Sequence, residues 1–355
     1  MVTQPSISEL ARIKIELLRS GLNLNASLDK APFLDVIFPK GVWTSFSTED
    51  FNSLNASYEL VQEQEFSYLV NSSGRVQVEV RRNPDFYNQR SASGKPFGKV
   101  ASIRANYVEI FPEVFHEGSE INENDVLEVV RRSLESGWAE YVSFYDDSNF
   151  GEERIERILG FVKVIKRHLD THISFTAEPP SDVGLVNAVY GSGVDSISYN
   201  LFYVDEEDRA KQRYRVCMEA LKHAVGIFST GSVASLIYLD ERNDGNFSET
   251  IQTLTRSGIF PVLSYRTAFG RRSTRPLELG KAAKLYRQVA VALRRSRFKL
   301  GWVPHSSVVV QSVDPIFFLD RGFGIFVRNL MRTATGSRLA FGIGALRRKL
   351  RVRER

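Results

Sequence analysis

The sequence predicts an α/β protein in which six strand–helix pairs follow one another between about residues 100 and 295. Three observations carry this. The chain is 355 residues long with 43% hydrophobic and 25% charged residues, enough apolar material for a large globular core. β-branched and aromatic runs alternate with helix-period runs, and Asn, Asp and Gly stand at the junctions between them. Strands that alternate with helices predict a parallel sheet joined by right-handed crossovers. A partly closed barrel and an open doubly wound sheet both satisfy this pattern.

The elements follow in order. Residues 100–111 (VASIRANYVEIF) read as the first strand. The following helix, 122–137, has Asn122 or Asn124 to cap it, acids in its first turn and Gly137 to close it. The next elements are a strand at 140–145, a helix at 152–168 and a strand at 172–177. Asp182 caps a short helix that runs to Gly191, and 194–201 (VDSISYNL) is a strand. A helix at 206–227, a strand at 232–239, a helix at 248–257, a strand at 259–265 and a helix at 277–295 complete the series.

The first 97 residues read as an extension. A helix at 8–19 leads into a stretch punctuated by Pro and Gly, and 58–70 and 75–82 flank the turn Asn71-Ser72-Ser73-Gly74 as a hairpin. Residues 83–98, rich in Asn, Ser, Gly and Pro, read as a linker. Residues 301–355 form a C-terminal part that contains a β-branched run and ends in a basic amphipathic tail.

Charge is concentrated at the end. The formal net charge is +5, and the last nine residues, RRKLRVRER, carry six bases against one acid, so the rest is neutral overall. This excludes a globally basic nucleic-acid binder. The tail (Arg347, Arg348, Lys349, Arg351, Arg353, Arg355) reads either as an anchor for an anionic membrane surface, a partner or nucleic acid, or as a packed helix with a solvated end. No run approaches the roughly 18 apolar residues of a membrane span. The start lacks the apolar block of a signal peptide, so a cytoplasmic protein, peripheral to a membrane through its tail at most, is expected.

The single cysteine, Cys217, rules out an internal disulfide and any cluster held by three or four cysteines of this chain. It falls in an apolar-periodic run and reads as a helix core residue. Metal signals are poor. His116 stands near Glu113 and Glu117, and His168 and His172 straddle a helix-to-strand transition. No P-loop, GxGxxG or GxSxG motif is present.

Gly193-Val194-Asp195-Ser196-Ile197-Ser198-Tyr199-Asn200-Leu201 resembles the fourth-strand segment of biotin-synthase-type radical S-adenosylmethionine proteins. Around it stand Ala177-Glu178-Pro179-Pro180, the strand Gly231 to Ile237 and the ending Ser264-Tyr265-Arg266. The resemblance covers roughly residues 98–300 and implies a partial (β/α)6 TIM-like barrel. The departures matter as much. The loop expected to hold the C-x3-C-x2-C motif is PEVFHEGSEI, without cysteine. Phe144-Tyr145-Asp146-Asp147 and Tyr238-Leu239-Asp240-Glu241 replace two further motifs. The resemblance therefore implies a degenerate relative with no [4Fe–4S] cluster.

In such a barrel ligands bind at the C-terminal ends of the strands. Those ends supply Asp146, Asp147, Glu178, Ser198, Asn200, Asp240, Glu241, Tyr265 and Arg266, a polar ring suited to a small polar or anionic molecule. Asn200 and Glu178 match family positions, and Arg271, Arg272 and Arg275 add a cationic rim. Three readings follow: a non-catalytic accessory partner of an active radical enzyme or pathway enzyme; a cluster-independent enzyme or small-molecule binder, with S-adenosylmethionine as a candidate ligand; and a membrane or nucleic-acid factor acting through the tail.

Overall fold

The computed structural model describes residues 5–24, 33–47, 51, 56–82, 85–104, 107–115, 118–146, 152–201, 208–228, 231–243, 247–265, 273, 275–296 and 312–318. The C-terminal run at 298–310, the basic tail, Asp147, Arg266, Arg271, Arg272, His116 and Glu117 lie outside them.

The helix–strand series is present. It comprises strands β7 (Ala101–Arg104), β8 (Tyr107–Ile110), β9 (Tyr141–Asp146), β10 (His172–Ala177), β11 (Ser196–Leu201), β12 (Val233–Tyr238) and β13 (Phe260–Ser264). The helices are α2 (Glu123–Glu135), α3 (Glu152–His168), α4 (Gly184–Ser192), α5 (Asp208–Ile227), α6 (Phe247–Arg256) and α7 (Leu279–Arg295). Local chemistry sets several boundaries. The Asn122 side chain accepts the backbone N–H groups of Asn124 and Asp125, and Asp125 returns a bond to the Asn122 N–H, a reciprocal cap that starts α2. Asp182 accepts the Gly184 N–H at 2.7 Å just before α4. Gly193, at φ 120°, takes the backbone out of α4 in a conformation costly to any residue with a Cβ.

The seven strands lie in the order β13-β12-β11-β10-β9-β8-β7. From β8 to β13 every neighbour is parallel and spatial order equals chain order. A doubly wound sheet reverses direction at a switch point, and this one does not. With right-handed crossovers all the helices fall on one face, and the sheet curls away from them into a half-barrel. Its edge strands β7 and β13 do not pair with each other among the described residues.

The first strand departs from expectation. Residues 100–111 form not one strand but the antiparallel pair β7–β8, with Arg104 opposite Tyr107. Alternating burial reads alike in one long strand or two short ones, so periodicity did not separate them.

The N-terminal region is also richer than one hairpin. Helix α1 (Ile7–Ser20) is followed by β1 (Asn23–Leu24), β2 (Phe33–Phe38), β3 (Val42–Ser47), β4 (Glu59–Glu63), β5 (Phe66–Asn71) and β6 (Gly74–Arg82). They form one six-stranded sheet in the order β1-β4-β5-β6-β2-β3. The expected strand 58–70 is the hairpin β4–β5, turned at Gln64 (φ 56°), a site without Gly, Pro or Asn to announce it. The turn at 71–74 is as expected, with Asn71 Oδ1 accepting the Ser73 and Gly74 N–H groups. The linker at 83–98 is a docked segment where it is described. Ser91 Oγ and Ser93 Oγ donate to Asp125, and the Ala92 N–H donates to Glu128, both acceptors on α2.

One apolar cluster runs through both sheets and their helices. Helix α1 packs on β3 and on α7, and β2 lies beside β7, so the extension is built onto the half-barrel.

Candidate functional site

Strand register sorts the half-barrel residues onto two faces. Residues paired across neighbouring parallel strands share a face, and alternate residues along each strand change it. One set contains Val142, Phe144, Ile173, Phe175, Ile197 and Leu263. Phe144 stacks on Phe115, which also meets Phe161 of α3, so this set faces the helices. The other set lines the concave side; it is polar on β8 to β11 and apolar on β12 and β13, where Ala234, Leu236, Phe260 and Val262 continue it. Glu109, Ser143, Ser174 and Ser196 form one cross-strand row, and Tyr145, Thr176 and Ser198 form the next. Asn200 lies two residues above Ser198 on β11.

One end of this concavity is covered at β8 and β9. Trp43 of β3 packs on Tyr107 and Tyr141, whose rings stack at 5.3 Å, and Arg104 lies 4.6 Å from the Phe33 ring while pairing with Glu109 at 3.5 Å. The N-terminal sheet thus covers the N-terminal ends of β8 and β9. In parallel α/β sheets, open or closed, ligands bind at the C-terminal ends of the strands.

Ser198 and Asn200 are buried at 2% and 3% exposure, and Ser198 Oγ and Asn200 Oδ1 have no hydrogen-bond partner among the described residues. Ser143 Oγ is in the same condition at 0% exposure. Buried polar atoms in native folds are nearly always paired, so a group of orphans on one face requires an explanation. Tyr199 OH and Ser235 Oγ are also unpaired, but register places them on the helix-facing side.

The other expected residues do different things. Glu178 is buried and lies close enough to Cys217 for its charge to act on the thiol. Cys217 Sγ itself lies 3.7 Å from the Asn200 carbonyl, so Glu178 and Asn200 share one corner. Asp146 is fully buried and paired with Arg154 of α3 at 2.8 Å. The Tyr265 hydroxyl donates to the Leu277 carbonyl at 3.0 Å and is buried. Asp240 accepts from Arg242 Nε at 2.7 Å, from Arg242 Nη2 at 3.1 Å and from Ser273 Oγ at 2.7 Å. Glu241 is exposed on the 3-10 turn Glu241–Asn243. The ring is therefore divided: Ser198 and Asn200 line the concavity, whereas Asp146, Asp240 and Tyr265 tie the scaffold together.

Ser143 lies in the middle of β9, where no strand-end position marks it in the sequence. A signal existed, since Ser143, Ser174, Ser196 and Ser198 recur at alternate positions within otherwise apolar strands.

Among the described residues, no group of three or more His, Cys, Asp or Glu could hold a metal ion. His172 Nε2 lies 3.0 Å from Ser196 Oγ, at the floor end of the concavity. No helix among the described residues is long and apolar enough to cross a membrane.

No family model matches the chain, and no curated protein matches it. Among solved structures it is similar to dihydropteroate synthase from Xanthomonas albilineans in complex with 7,8-dihydropteroate. The identity is 11% and the TM-score 0.31, over 64% of this chain and 92% of that one. A likeness of that size identifies neither a family nor a ligand.

Proposed function

We propose that this chain is a cluster-free relative of the radical S-adenosylmethionine barrels that binds a small polar molecule at the C-terminal mouth of its half-barrel. It serves its pathway as a binding or accessory protein and not as a radical enzyme. The observation that carries the reading is the pair of buried, unpartnered atoms Ser198 Oγ and Asn200 Oδ1 on the concave face of β11. A bound molecule would give both the hydrogen bonds they lack.

The cysteine supports the cluster-free part. Cluster and metal sites use thiolates. Burial, with the Glu178 charge second, pushes the Cys217 thiol far above its ordinary value. The uninterrupted strand order supports the barrel to which the sequence resemblance pointed. A barrel mouth lined by Asn200 and Ser198 suits S-adenosylmethionine or another small polar molecule, and Arg266, which follows Tyr265 in the sequence, is the residue proposed to meet an anionic group.

Isothermal titration calorimetry with S-adenosylmethionine, its breakdown products and anionic metabolites tests this. At least one compound binds the wild type. Asn200→Ala weakens it about tenfold through the lost hydrogen bond, and Arg266→Ala does so if the ligand carries an anion. Failure of every compound to bind, or equal binding by Asn200→Ala, overturns the assignment.

A further inference from the structure

We propose that the outer face of α7 is a docking surface for the phosphate backbone of a double-stranded nucleic acid, with Lys284, Arg287, Arg294 and Arg295 as its cations. The inference is independent of the barrel mouth and of the basic tail.

Helix α7 carries five bases, Lys281, Lys284, Arg287, Arg294 and Arg295, and no acid. The other charged helices among the described residues, α1, α2, α3, α5 and α6, each mix both signs. The five bases share the outer side of α7, because Ala282, Leu285, Tyr286, Val289 and Leu293 turn the other side into the core. All five are exposed. Lys284, Arg287, Arg294 and Arg295 form no ion pair among the described residues. Lys281 stands three residues after Glu278 and is left out of the site.

Helix stability accounts for only part of this pattern. Arg294 and Arg295 close the helix at its negative end, where the macrodipole favours them. Lys284 and Arg287 have no such reason. Lys281, Lys284 and Arg287 follow one another at i, i+3 spacing, where like charges repel, and the first turn at the positive end holds no acid. A local rule broken without a gain in stability points to function. The packed neighbours do not neutralise the stripe. On α1, Glu9 caps its own helix through the Ser6 N–H and Glu16 is hydrogen-bonded to Tyr58. In residues 312–318, Asp314 is buried, and α6 contributes one acid and one base, Glu249 and Arg256.

Charge complementarity calls for a polyanion, and the apolar residues select which. A surface helix that enters a membrane buries an apolar face, and that face of α7 is already committed to the core. Single strands are held by stacking on aromatic side chains. The large apolar side chains exposed among the described residues are Phe66, Tyr214 and Val291, so α7 offers one valine and no aromatic. A duplex backbone requires cations alone. Lys284 to Arg295 span about 16 Å of helix, and a duplex presents a phosphate about every 3.4 Å along each strand, so the four cations lie within reach of about five phosphates of one strand.

The test uses the full chain, with anisotropy of a labelled DNA duplex of mixed sequence and of its single strand, and co-sedimentation with phosphatidylserine vesicles. Wild type binds the duplex, and binding falls with salt. Lys284→Gln/Arg287→Gln lowers the slope of log K against log salt by about 2 and weakens binding about 50-fold at about 0.1 M salt. Lys222→Gln, an exposed lysine of α5 three residues after Glu219, changes neither. Lys284→Glu weakens duplex binding while its Tm equals or exceeds that of wild type, since it places an acid between Lys281 and Arg287. No duplex binding, an unchanged slope in the double variant or an equal loss in Lys222→Gln overturns the proposal. So does a lower Tm of Lys284→Glu, which would make the lysine structural. Tighter binding of the single strand than of the duplex also overturns it, as does loss of vesicle binding in the double variant with duplex binding intact, which would identify a membrane surface instead.

Discussion

The guanidinium of Arg81 lies 5.3 Å from the ring centroid of Trp43 and 5.4 Å from that of Trp138. Arg81 and Trp43 belong to the N-terminal sheet, whereas Trp138 stands between α2 and β9, so one cation clamps the extension to the half-barrel. Each contact is worth about 0.5–1 kcal/mol at partly exposed positions. Arg81→Ala is expected to cost about 1–2 kcal/mol in urea unfolding, and Arg81→Lys less. An unchanged midpoint would show that the two sheets are held together by apolar burial alone.

Asp240 joins the end of β12 to the segment that leads into α7. Burial opposes its ionisation, but the hydrogen bonds from Arg242 and Ser273 outweigh burial and hold the carboxyl below its ordinary value of 3.8. A depressed folded-state pKa stabilises the fold above the unfolded value, and that contribution is lost as pH falls through the folded value. Asp240→Asn is therefore expected to lower stability near neutrality by about 1–2 kcal/mol, a figure kept small because Arg242 is half exposed. The variant and the wild type should converge as the pH drops below about 4. Urea midpoints between pH 3 and 7 measure it, and a pH-independent gap would count against the charge as the cause.

Cys217 is a buried residue of α5 and is the chain's single cysteine. Anaerobic reconstitution with iron and sulfide is expected to give no charge-transfer absorbance and no stoichiometric iron. Native-state alkylation should be slow, since a buried thiol with a raised pKa is rarely a thiolate. A stoichiometric cluster in the isolated chain would overturn the cluster-free reading.

The basic end (Arg347, Arg348, Lys349, Arg351, Arg353, Arg355) lies outside the described residues and is addressed by deletion. If it is an electrostatic anchor, the full chain binds phosphatidylserine vesicles, the chain ending at Leu346 does not, and binding falls steeply with salt. Surface charges are screened beyond about 8 Å at physiological ionic strength. Equal retention of both forms on the vesicles removes this role.

Local chemistry determined much of the fold. The spans of α3 and β10 read directly from the sequence, and Asn122 caps α2 as expected, whereas α4 begins at Gly184 with Val183 at the cap position, so Asp182 stands one residue ahead of the cap it was expected to form. Period, caps and turn residues act within a few positions of one another, so a single sequence displays them. They failed where the local signal was ambiguous. Gln64 turns β4 into β5 without a turn residue, and β7 and β8 alternate as one strand would.

The tertiary structure decided what depends on residues far apart in the chain. Among these are the monotonic strand order, the cover that Trp43 lays over Tyr107 and Tyr141 at the starts of β8 and β9, and the split of the mouth residues into liners and ties. Asp146 and Asn200 look equivalent at strand ends, yet one is paired with Arg154 and the other presents an unpartnered oxygen on the concave face. Register makes that difference. A shift of one residue exchanges the two faces of a strand, and register is set by hydrogen bonds to neighbouring strands that local pattern does not encode.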